Sequence, residues 1–175
     1  YSDYGAFSDV ASLVYTGQKF RNYEVSVNFH RGQDTWAWAM VTIGASNPES
    51  FALIRRSGDE SEIPAVGKNP GGGIGIYLEA EGYVNVFGNI HDVAGWNNNV
   101  RYRLDQENVI STNYNDNEVH NLRIRVVNQK LEIFVDDEPA PVWFTVLDNS
   151  AEGYVGLTTN MNSAEYTEFS ITQLD

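Results

Sequence analysis

Cysteine is missing from this chain of 175 residues. Its absence excludes a disulfide framework and any zinc site built on thiolates. It does not argue against an extracellular setting, because a domain of this length buries enough surface to stand without covalent staples. A cysteine-free domain of this kind is expected to be secreted or held at a cell surface, in a bacterium. Long apolar runs are missing too, and none approaches the roughly 20 residues that a membrane-spanning helix needs. Basic residues are scarce: Lys and Arg number 11 against 24 Asp and Glu, for a net charge of −13. A field of that sign repels the phosphates of nucleic acids and the face of an anionic membrane, and it leaves neutral ligands unaffected. Nowhere does the sequence keep a helical period. Gly71-Gly-Gly-Ile-Gly offers no phosphate cradle either. It runs into a strand-like segment rather than a helix, with no lysine near its end.

What the chain does have is alternation. Asn121-Leu-Arg-Ile-Arg-Val-Val, Lys130-Leu-Glu-Ile-Phe-Val-Asp, Gly153-Tyr-Val-Gly-Leu and Ala164-Glu-Tyr-Thr-Glu-Phe-Ser-Ile each set apolar against polar residues with a period near two. Such a period gives a strand one buried and one open face. The first two are joined by Asn128-Gln129, a hairpin turn. Earlier strands are expected at Val10–Tyr15, Tyr23–Phe29, Trp36–Gly44 and Phe51–Arg56. Gly73–Glu79 and Tyr83–Phe87 read as a hairpin around Glu81-Gly82. Short strands are expected at Arg101–Leu104 and Glu107–Ile110. With no linker and no repeat, residues 1–175 read as one all-β domain, a two-sheet antiparallel β-sandwich.

Three stretches carry a family resemblance: Phe20-Arg-Asn-Tyr-Glu-Val-Ser-Val, the hairpin from His120 to Pro139, and Gly153–Leu157 with Ala164–Ile171. In them the chain resembles the concanavalin A-like lectin/glucanase superfamily of jelly rolls. Within it, the chain is similar to carbohydrate-binding modules of family 66 type, which bind fructans and are attached to glycoside hydrolases. The resemblance implies a non-catalytic module that grips a fructan or plant glycan, along the polymer or at its chain end. It also implies attachment to a larger enzyme and a structural calcium. Laminin-G-like adhesion domains and hydrolases of the glucanase class share the same strand pattern and remain as alternatives.

The residues themselves offer sugar-binding chemistry. Trp36, Trp38, Met40 and Thr42 share one face of their strand, opposite Ala37, Ala39, Val41 and Ile43. If the small-residue face is core, the two indoles lie where a sugar ring stacks its C–H face. The competing reading is a central strand whose large residues fill the core. Arg55 ends the next segment with a planar fork suited to hydroxyls, or to an ion pair with Asp59 or Glu60. Tyr77 and Glu79 share a face, with Asn85 on the hairpin partner. His91, Asp92, Trp96 and Asn97 combine imidazole, carboxylate, indole and amide in one loop, a mixture that both donates to and accepts from hydroxyls. Asp116 and Asp136 sit in the densest oxygen clusters and are the candidate calcium ligands. Asp59-Glu-Ser-Glu62 and Glu79-Ala-Glu81 do not match the strand-borne carboxylates of a glycosidase. His30, His91 and His120 are too far apart in sequence to define a zinc site.

Overall fold

The structure is a computed structural model that describes residues 11–30, 38–45, 73–78, 83–88, 100–103, 118–147, 151–160 and 165–175. These hold eleven strands: β1 (Ala11–Phe20), β2 (Tyr23–His30), β3 (Trp38–Ala45), β4 (Ile74–Leu78), β5 (Tyr83–Gly88), β6 (Val100–Arg103), β7 (Val119–Val127), β8 (Lys130–Val135), β9 (Trp143–Val146), β10 (Gly153–Asn160) and β11 (Glu165–Gln173). They pair antiparallel into a six-stranded sheet, ordered β1-β10-β3-β4-β5-β6, and a five-stranded sheet, ordered β11-β2-β7-β8-β9. The fold is the expected two-sheet antiparallel β-sandwich.

Alternation creates the core. Along β2 the inward set is Tyr23, Val25, Val27 and Phe29, and along β7 it is Leu122, Ile124 and Val126, all buried. Val41 and Ile43, Ile74, Ile76 and Leu78, Val84 and Val86, and Val155 and Leu157 meet them from the six-stranded sheet. Burying one such side chain is worth about 1.5–3 kcal/mol, so this shared layer is the main force holding the sheets face to face. Two tyrosines add polar ties across it. Tyr23 donates its hydroxyl to the Ala151 carbonyl at 2.8 Å. From β11, Tyr166 accepts a hydrogen bond from the Met40 amide of β3, also at 2.8 Å.

Turns and bulges fix the register. Asn128 takes a φ of 55° in the two-residue turn between β7 and β8, a left-handed conformation that Asn tolerates better than most residues. Its amide is held by Asn22 Oδ1 at 2.8 Å. In β3 the pairing with β10 slips between Thr42 and Ala45, and Gly44, at a φ of 67°, forms the bulge. Gly73 precedes β4 at a φ of 70°. A Cβ there would run into the Ile43 carbonyl oxygen and come within 2.8 Å of the Ala45 amide.

The structure amends the strand pattern in three places. β1 continues to Phe20, past Tyr15, as an edge strand whose polar second half faces solvent. β9 is an added strand, pairing with β8 through Ile133↔Trp143 and Lys130↔Val146. In β11 the half-buried Tyr166 and Phe169 are three residues apart, because Glu168, at a φ of 53°, sits in a bulge where pairing with β2 skips from Thr167 to Ser170. The expected strands at 51–56 and 107–110 lie outside the described residues.

Candidate sugar-binding face

Core residues on one side of each strand place the alternate residues on the other. Val41 and Ile43 point to the core, so Trp38, Met40 and Thr42 hold the outward positions of β3. Cross-strand pairing extends that face in both directions. Thr158 of β10 stands opposite Met40, Met40 opposite Tyr77, Tyr77 opposite Asn85 and Asn85 opposite Arg101. A flanking row pairs Asn160 with Trp38, and at the other edge Tyr83 pairs with Arg103. Trp38 and Tyr77 are diagonal neighbours on adjacent strands, roughly 7–8 Å apart by sheet geometry.

The centre of this face is closed and polar at one point. Met40 and Thr42 are both 0% exposed although they face away from the core. The Thr42 hydroxyl is buried without a hydrogen-bond partner. Gly156 and Gly75 flank it in register, so neither neighbouring strand sets a side chain beside it. An unsatisfied buried hydroxyl costs about 1–3 kcal/mol.

The two sheets differ in the chemistry of their outward faces. On the five-stranded sheet, cations and carboxylates alternate. Arg123 meets Glu24 at 3.3 Å and Lys130 meets Glu132 at 2.6 Å. Arg125 stands in register between Glu24 and Glu132. Asn121 donates its side-chain amide to Asn28 Oδ1 at 2.7 Å and to Ser26 Oγ at 3.0 Å, while Asn28 donates to Glu168 at 2.8 Å. This surface satisfies itself. On the six-stranded sheet, the outward positions of β3, β4, β5, β6 and β10 include no Asp or Glu among the described residues, and they carry the aromatic and amide groups just named.

Of the residues expected to bind ligand, Trp38 and Tyr77 are thus brought to one face. Trp36, Arg55, Glu79, His91, Asp92, Trp96 and Asn97 lie outside the described residues, as does Asp116. Asp136 lies in the turn that follows β8 of the other sheet. Its carboxylate accepts from the Asn121 amide at 3.0 Å and faces His120 Nδ1 at 3.2 Å. A carboxylate so engaged is a structural brace, and among the described residues no cluster of three or more His, Asp or Glu is placed to hold a metal ion. Of the two candidate calcium ligands only Asp136 lies within the described residues, and its carboxylate is engaged by Asn121 and His120. Arg101 and Arg103 are additions to the candidate set. The signal for them was the alternation of Arg101 and Arg103 with Val100 and Tyr102, which becomes legible once Val84 and Val86 are known to be core.

No protein-family model matches this chain, and no curated protein does. Solved structures do. One is carbohydrate-binding module CBM66 from Bacillus subtilis, with a TM-score of 0.58 and 13% identity over 94% of this chain and 82% of that one. Another is the exoplasmic/lumenal domain of VIP36 in its Ca2+/Man3GlcNAc-bound form, with a TM-score of 0.55 and 12% identity over 95% of this chain and 74% of that one. A third is a native glycosidic hydrolase, with a TM-score of 0.53 and 11% identity over 92% of this chain and 68% of that one. At these identities the likeness is one of fold: this chain shares the lectin-like β-sandwich architecture.

Proposed function

We propose that this protein is a non-catalytic carbohydrate-binding domain that takes a polysaccharide or its chain end on the outward face of the six-stranded sheet. One observation carries the reading. A single register row and its neighbours bring Trp38, Tyr77, Asn85 and Arg101 to one face. Sugars need this pairing of flat apolar surface for ring C–H groups with planar donors and acceptors for hydroxyls. The fold it shares with a carbohydrate-binding module and with the Man3GlcNAc-bound exoplasmic/lumenal domain of VIP36 supports the reading. Affinity is modest, because each hydroxyl must be stripped of water before it is bound. The domain acts outside the cell, appended to a larger enzyme.

Affinity electrophoresis against inulin, levan, β-glucan, xylan and pectin tests the proposal. Retardation on at least one polymer is expected, and free migration on all of them would overturn it. The glycosidic hydrolase of the same fold keeps a second reading in view. Release of reducing sugar from any of these polymers, lost on Glu79→Gln or Glu81→Gln, would favour catalysis instead.

A further inference from the structure

We infer that two copies of this chain pair through β1, antiparallel about a two-fold axis beside Val14, so that their six-stranded sheets join edge to edge. Among the described residues four strands end a sheet: β1, β6, β9 and β11. Three of them are poor templates for a further strand. β6 and β9 have four residues each. β11 carries Glu165 and Glu168, both exposed, and bulges at Glu168. β1 runs for ten residues without Asp, Glu or Pro, and Lys19 is its one charge. A long edge that lacks proline and is nearly free of charge invites pairing with another chain. In a protein of net charge −13, it is also where two copies can meet without setting carboxylate against carboxylate, the self-repulsion that otherwise keeps such chains apart.

The side chains of β1 show that the sheet is unfinished there. Leu13 stands opposite Leu157 and Tyr15 opposite Val155, and both partners belong to the core. Directly opposed residues share a face of a sheet, so Leu13 and Tyr15 point inward. They are nonetheless 66% and 47% exposed, because β1 ends the described sheet. The Tyr15 ring is held in place, 5.7 Å from the ring of buried Phe20 and with its hydroxyl 2.7 Å from where a Cβ on Gly17 would stand. Ser12-Leu-Val-Tyr-Thr is close to a chemical palindrome. Turned about Val14, it sets Leu13 against Tyr15 of the second copy, Tyr15 against that copy's Leu13, and Ser12 against its Thr16. A two-fold contact requires this self-matching, since each residue meets the same patch from the other side. A strand of another protein does not require it. Lys19 falls beyond the overlap, with its ammonium 5.4 Å from the centre of the Tyr154 ring. The axis stands normal to the sheet, so the outward faces of both copies lie on the same side of one continuous surface.

A cysteine-free chain allows a direct test. Opposed residues of antiparallel strands have Cα atoms about 4.5–5.5 Å apart, within the span of a disulfide. Val14→Cys is expected to give a disulfide-linked dimer in oxidised glutathione. Val119→Cys, at a 59% exposed position on β7, should stay monomeric under the same conditions. Analytical ultracentrifugation of the unaltered protein should show a mass that rises with concentration toward twice that of one chain. Leu13 enters the contact twice, once from each copy, so Leu13→Glu should raise the dimer dissociation constant about tenfold or more. Its circular dichroism should be unchanged, because the position is exposed. A single-chain mass at the highest soluble concentration would overturn the inference. A dimer indifferent to Leu13→Glu, or equal cross-linking at positions 14 and 119, would do the same. If Val14→Cys fails to fold, sedimentation of the unaltered chain against Leu13→Glu still decides.

Discussion

The Tyr166 hydroxyl bridges both backbone polar groups of Met40, accepting from its amide at 2.8 Å and donating to its carbonyl at 3.4 Å. Tyr166 belongs to an edge strand of one sheet, and Met40 sits mid-row on the outward face of the other. The contact thus couples the packing of the sandwich to the position of the strand that carries Trp38. Tyr166→Phe leaves a buried amide without its acceptor, at a cost of about 1–3 kcal/mol. Urea unfolding should show a lower midpoint with an unchanged m-value, and an unaltered midpoint would deny the bridge a stabilising role.

Alkaline pH should expose both cross-sheet tyrosines. Burial holds the hydroxyls of Tyr23 and Tyr166 well above the ordinary tyrosine range. In the unfolded chain both ionise near pH 10. Above that value the unfolded state binds fewer protons than the native one, so stability falls as pH rises. With both groups contributing, the slope approaches about 2.7 kcal/mol per pH unit. Full stability below pH 10 and a steep loss above it are expected in denaturant titrations. Tyr23→Phe or Tyr166→Phe should each remove about half of that pH dependence, and a flat profile through pH 11 would contradict the burial.

Gly73 has no tolerable substitute. A left-handed φ penalises any side chain by about 1–2 kcal/mol, and here the new Cβ would also meet backbone of β3 at Ile43 and Ala45. Gly73→Ala should cost at least about 2 kcal/mol in thermal or urea unfolding, more than the strain term alone. A neutral effect would mean that β4 does not approach β3 as described.

Sugar affinity should depend on the aromatic positions of one face. Trp38→Ala and Tyr77→Ala are each expected to weaken binding roughly 3- to 10-fold in isothermal titration, the range that ring contacts contribute. Phe144, 64% exposed on the five-stranded sheet, serves as the control, and its replacement by Ala should leave affinity unchanged. Equal losses at all three positions would place the sugar elsewhere.

Much of the fold was legible because the core is built by strict alternation. β2 and β7 show it residue by residue, with burial patterns that switch at every position. The hairpins were legible from their turns, Asn128-Gln129 most clearly. β9 was hidden because Trp143-Phe-Thr-Val is short, lacks alternation and follows a proline-rich turn. The second half of β1 was hidden because an edge strand needs no buried face. In β11 the bulge at Glu168 breaks the period, and only pairing with β2 reveals where. The candidate face was half legible. Alternation put Trp38 on the same face of its strand as Met40 and Tyr77 on the same face as Glu79, but that Trp38 and Tyr77 share a face with Asn85, Arg101 and Arg103 depends on long-range register, which no local pattern records.

Amide chemical-shift mapping with an oligosaccharide from the polymer that retards the protein tests the central claim most directly. The account predicts perturbations concentrated in residues 38–42, 75–77, 83–87 and 100–103, with residues 121–125 and 130–134 unmoved. Perturbations confined to the five-stranded sheet, or none at saturating sugar, would contradict it.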